Sequence, residues 1–139
     1  MKRFVALVIF LAVLIGISAS AKAQNMEPKM RLSFHIQNEE IGAVRDTLNE
    51  FAKGHHFSIF DNGATLPPKP DDGRHIFYLI LKSEPDHSIE VHVTNVRHTD
   101  EMLVGVYEPK STPQFEKVTS VLEQVIRRSW PDLAPYNGP

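Results

Sequence analysis

Histidine is the residue type this chain offers most freely for chemistry. Seven occur, His35, His55, His56, His75, His87, His92 and His98, and there is no cysteine. Imidazole is the commonest metal ligand and the side chain whose ordinary titration falls near neutrality. A zinc or copper site needs three or four ligands of this kind converging on one point, often with a carboxylate. The spacing supplies neither an HxxxH pair for a helix nor an HxH pair for a strand.

The densest local grouping is Asp86, His87, Glu90, His92 and His98. Along a strand, Glu90 and His92 share one face, and the turns on either side carry His87 and His98. His87, Glu90, His92 and His98 are therefore the candidate positions for a ligand or partner, and His87, His92 and His98 the candidate ligands for Zn or Cu. The plainer explanation of the same residues is the solvated face of a one-sided sheet. His55 and His56 follow a helix end, where a cation meets the negative end of the helix dipole.

Catalytic signatures are absent from the sequence: it has no G-x-S-x-G elbow, no H-E-x-x-H, no glycine-rich phosphate loop and no S-x-x-K. His75 stands near Asp71 and Asp72, an adjacency that a polar loop meeting a strand explains by itself. No residue receives a catalytic role. Without cysteine, thiol nucleophiles, CxxC redox chemistry and thiolate zinc are excluded. The balance favours binding over catalysis.

The amino terminus gives a compartment. Lys2 and Arg3 precede an apolar run from Phe4 to Ile17, and Ala19-Ser20-Ala21 and Ala21-Lys22-Ala23 then offer two small-x-small cleavage sites. Residues 1–23 read as a cleaved signal peptide, cut after Ala21 or Ala23. The run is shorter than the ~20 residues needed to cross a bilayer core, so no stable membrane insertion is expected after cleavage. A periplasmic or secreted location follows. Three of the 15 Lys and Arg leave with the signal while all 17 Asp and Glu remain. That acidic remainder argues against a nucleic-acid partner, whose phosphates require a clustered basic face. The body also lacks any Asn-x-Ser/Thr acceptor, which fits a bacterial product.

Several elements must position the candidate residues. Residues 24–29 have no apolar periodicity and read as a disordered N-terminus, ahead of a single domain over 30–132 and a flexible tail over 133–139. Arg31 to Ile36 alternates as a half-buried strand. Gln37-Asn38 then caps a helix whose stripe is Ile41, Val44, Leu48, Phe51 and Ala52, with Gly54 expected as its left-handed terminator. Phe57 to Phe60 is a short strand, and Ala64 to Arg74, with Pro67, Pro68 and Pro70, is an exposed loop suited to partner recognition. His75 to Lys82 reads as a central strand buried on both faces. Ser88 to Val96 alternates with Ile89, Val91 and Val93 inward. Met102 to Glu108 is a strand interrupted by Gly105, and Phe115, Val118, Leu122, Val125 and Ile126 stripe a last helix. Trp130 is placed in the core beneath that helix, with Tyr136 a lesser candidate anchor for a partner.

The order β-α-β-β-β-β-α predicts an α+β fold: an antiparallel meander of about five strands with both amphipathic helices on one face. The expected function is that of a small exported, non-catalytic binding protein whose partner is another protein or an envelope component. A histidine-based metal or pH-responsive binder is the alternative, and an unrecognised hydrolase the second. No cofactor is implied beyond the possible Zn or Cu.

Overall fold

A computed structural model describes residues 26–61, 77–96 and 100–138. The signal-like segment, the proline-rich loop, His75 and His98 lie outside these residues.

Alternation in Met30–His35 (β1) sends Leu32 and Phe34 inward and leaves Arg31 and His35 exposed. A 3₁₀ turn over Asn38–Glu40 leads into helix α1, Ile41–Gly54. Glu40 holds this corner: its Oε2 accepts the Gln37 backbone N–H at 3.1 Å and the Trp130 indole N–H at 3.2 Å. Strands β2 (Phe57–Asp61), β3 (Tyr78–Ser83), β4 (Glu90–Asn95) and β5 (Glu101–Tyr107) follow, then helix α2 (Phe115–Ser129) and a two-residue strand β6 (Ala134–Pro135).

The predicted α+β class and element order hold. The sheet has six antiparallel strands in the order β2-β3-β4-β5-β1-β6, so β2 to β5 form the meander and β1 returns beside β5. Leu79 and Leu81, Val91 and Val93, Met102, Val104 and Val106 point to the same face as Leu32 and Phe34. Both helices bury their stripes in that one core, α1 through Val44, Leu48, Phe51 and Ala52, and α2 through Leu122 and Ile126. Trp130 joins them, its ring 5.0 Å from that of Phe34. At ~25 cal/mol per Å² of apolar surface removed from water, this one-sided core drives folding without any crosslink.

Several local expectations change. The strand anticipated at His75 to Lys82 is not buried on both faces. It lies second from the edge as Tyr78–Ser83, with Leu79 and Leu81 inward and Tyr78 and Ile80 half-exposed outward. Helices occupy one side only, so a continuous apolar run need not mean burial twice over. Gly54 closes α1 in ordinary helical conformation, and the left-handed residue is His56, φ 59°. The carbonyl of His56 accepts the Glu84 N–H at 2.8 Å, tying it to the β3–β4 turn.

Gly105 does not interrupt β5; it pairs with His92 on one side and Arg31 on the other. In place of the tail expected from Leu133, the chain buries Leu133 and adds β6 to the outer edge of β1. Tyr136 N–H donates to Arg31 C=O at 3.0 Å, and Asp132 Oδ2 accepts both the His35 N–H (2.9 Å) and its ring Nδ1 (3.0 Å). At the other terminus Lys29 N–H already bonds Val106 C=O at 2.8 Å.

Candidate functional site

Period-two alternation places every second residue of five strands on the face opposite the helices. The register aligns them in rows. Phe60, Ile80, His92, Gly105 and Arg31 form one; Ser58, Lys82, Glu90 and Tyr107 a second; Tyr78, Thr94, Leu103, Ser33 and Ala134 a third. Tyr78, Ile80, Leu103 and Tyr107 are half-buried. Phe60, at 44% exposure, is the most exposed large hydrophobic side chain among the described residues, and Lys82 Nζ stands 5.3 Å from its ring centre.

His92 is the centre of this surface. Its Nε2 lies 3.0 Å from Glu90 Oε2, and its Nδ1 lies 3.3 Å from the Tyr78 hydroxyl. Glu90 Oε1 is in turn 3.7 Å from Lys82 Nζ. The imidazole packs against the Tyr107 ring at 4.6 Å and meets Tyr78 edge-on at 6.2 Å. Gly105 makes room for this arrangement. A Cβ there would stand 3.2 Å from Tyr107 Cε2 and 3.7 Å from Pro28 Cβ, so the Tyr107 ring crosses the backbone at the one position without a side chain. Burial first, with the Tyr78 and Glu90 charges adding, pushes the Tyr107 phenol above its ordinary titration range despite the opposing pull of Arg31. At physiological pH it is a neutral hydroxyl.

The sequence grouping divides at this point. Glu90 and His92 do form a pair on the outward face. His87 belongs to the β3–β4 turn, with φ 54° and its Nε2 3.3 Å from Glu84 Oε1. Asp86 caps the same turn, accepting the Ser88 N–H at 3.2 Å. Among the described residues no three His, Asp or Glu side chains converge as a metal site requires. Sequence alternation alone gave Tyr78 and Tyr107 no place beside His92, because cross-strand register is needed to bring β3 and β5 around it.

A second His–carboxylate pair, His35 with Asp132, joins β1 to the carboxy-terminal segment. Partial burial disfavours ionisation of Asp132, but the hydrogen bonds from His35 outweigh it and hold the carboxyl below its ordinary value. Glu84 and Glu108 are also lowered, chiefly by hydrogen bonds from Ser58 and Lys29 respectively. These three carboxylates fasten turns and termini.

No protein-family model, no curated protein and no solved structure matches this chain. Its fold and face define a class: an α+β domain with both helices on one side of an antiparallel sheet and a histidine-centred aromatic patch on the other. No described helix is long and apolar enough to cross a membrane.

Proposed function

We propose that this chain is an exported, non-catalytic binding protein that recognises another protein through the face opposite its helices. The observation that supports this reading is the make-up of that face. Tyr78, His92 and Tyr107 sit together at its centre beside Phe60, Ile80 and Leu103, and charged groups flank them. Aromatic and arginine side chains are the enriched components of protein interfaces, and rigid rings lose little freedom on binding. The first 23 residues support export through Lys2 and Arg3, the apolar run from Phe4 to Ile17 and the small-x-small sites between Ala19 and Ala23.

The dimensions favour a transient partner. Five strands at ~4.8 Å spacing and some five residues at ~3.3 Å give roughly 400 Å² of plan area. A standard stable interface covers about 800 Å² per partner. The face alone suits a short segment or a weak contact.

The test is capture from envelope extract by immobilised wild type, by Tyr107→Ala, and by a Glu116→Ala/Lys117→Ala control on the exposed side of α2. A protein retained by the wild type and the control but lost with Tyr107→Ala supports the reading. Equal capture by all three refutes it.

A metal-binding reading stands second. Both ring nitrogens of His92 are engaged, so this reading would require its Glu90 and Tyr78 contacts to open first.

A further inference from the structure

The two ring nitrogens of His92 face groups of unlike hydrogen-bonding character. An ionised carboxylate only accepts hydrogen bonds, so the neutral imidazole must hold its proton on Nε2, toward Glu90 Oε2. That leaves a lone pair on Nδ1, and the Tyr78 hydroxyl must donate to it. When the ring takes a second proton from solvent, Nδ1–H becomes a donor. The Tyr78 oxygen then accepts, and its own O–H turns away from His92. One proton thus adds a positive charge at the centre of the face and changes what Tyr78 offers there.

We infer that His92 is a proton gate on this face. Protonated, the face prefers a carboxylate-bearing segment of its protein partner; neutral, that preference weakens. The inference rests on the proposed role of the face in binding. Around His92, β4 contributes Glu90, β3 contributes Tyr78 and Lys82, β5 contributes Tyr107, and β1 contributes Arg31 across Gly105. The nearest outward residues of β2, Ser58 and Phe60, carry no charge. Glu90 and Lys82 offset each other, so protonation of His92 adds one positive charge to a face that already carries Arg31. Glu101 and the His35–Asp132 pair lie at the far ends of β5 and β1, four residues from the Gly105–Arg31 row. Beneath the sheet, the neighbours of His92 are Val91, Val93, Val104 and Val106, none of which titrates.

The experiment uses the full chain and a fluorescent twelve-residue peptide of alternating Asp and Tyr, with an Asn/Tyr peptide as control. Imidazole nitrogen NMR reports the tautomer, and peptide binding is measured at pH 5.5 and 8. The expected results are an Nε2–H ring at pH 8 and about tenfold tighter binding of the Asp peptide at pH 5.5, the scale of one charge-assisted hydrogen bond. His92→Gln abolishes the pH ratio, Tyr78→Phe reduces it, and the Asn peptide shows none. An Nδ1–H ring at pH 8, or a ratio that persists in His92→Gln, overturns the gate. Failure of the Asp peptide to bind at either pH overturns it too. If envelope capture still depends on Tyr107 in that case, the binding face survives and only the gate falls. A urea melt of each variant confirms folding, which substitutions on this face leave intact.

Discussion

Substituting Gly105 by Ala separates stability from recognition, because the methyl group enters the binding face and leaves the core alone. The backbone of Gly105 is an ordinary strand conformation, open to any L-residue, so no φ strain arises. Reduced freedom of the unfolded chain stabilises by about 0.4–1 kcal/mol. The new Cβ stands 3.2 Å from Tyr107 Cε2, so the ring must move by a few tenths of an ångström. Tyr107 can give way outward, and the loss is a handful of dispersion contacts at ~0.1–0.2 kcal/mol each, about 1 kcal/mol together. The two effects nearly cancel. Urea unfolding should therefore place Gly105→Ala within about 1 kcal/mol of wild type, with the same m-value, far from the ~2–5 kcal/mol of a core truncation. Recognition should fall all the same, because displacing the ring loosens its 4.6 Å contact with His92. Partner capture is the second readout. A loss above about 2 kcal/mol would show that the Tyr107 ring is a structural element. Undiminished capture would show that the ring is not part of the contact.

Other consequences can be checked in the same way. Trp130→Phe keeps an aromatic ring against Phe34 but removes the indole donor to Glu40, which should cost about 1–2 kcal/mol in urea unfolding; no change would mean that this corner is held by packing alone. Asp132 has a depressed carboxyl, so its contribution is present above the unfolded pKa and is lost as pH falls through the lower folded value. Asp132→Asn should flatten the acid limb of a stability–pH curve, and an unaltered limb would dismiss the His35 contact as a contributor. His87 and His92 occupy separate hydrogen-bonded sites, so any zinc-induced rise in melting temperature should persist in a His87→Ala/His92→Ala variant; its disappearance would return both to the list of ligands.

Fold class was legible in the chain because its signals are local. Leu32 and Phe34 in β1, Val91 and Val93 in β4, and the stripes of α1 and α2 follow from alternation and helical spacing, and the structure bears them out. The inward–outward assignment of Glu90 and His92 followed from the same rule. Local pattern failed where a distant segment decided the outcome. Leu133 looks like the start of a tail until β1 supplies an edge to pair with, and Gly105 looks like a break until the ring of Tyr107 is laid across it. His87 and His92 are five residues apart in sequence, yet one belongs to a turn with Glu84 and the other to the sheet with Tyr78.

The sequence by itself determined the element order as far as α2, the single apolar face of β1, β4 and both helices, and the absence of any thiol chemistry. These depend on residue type and on the fixed periods of 2.0 and 3.6, which need no knowledge of distant partners. Only the tertiary structure decided that β1 returns beside β5 and that Tyr78 and Tyr107 flank His92. Those facts are set by strand register. Register depends on pairing energies summed over segments far apart in the chain, and no local pattern of residues records that sum.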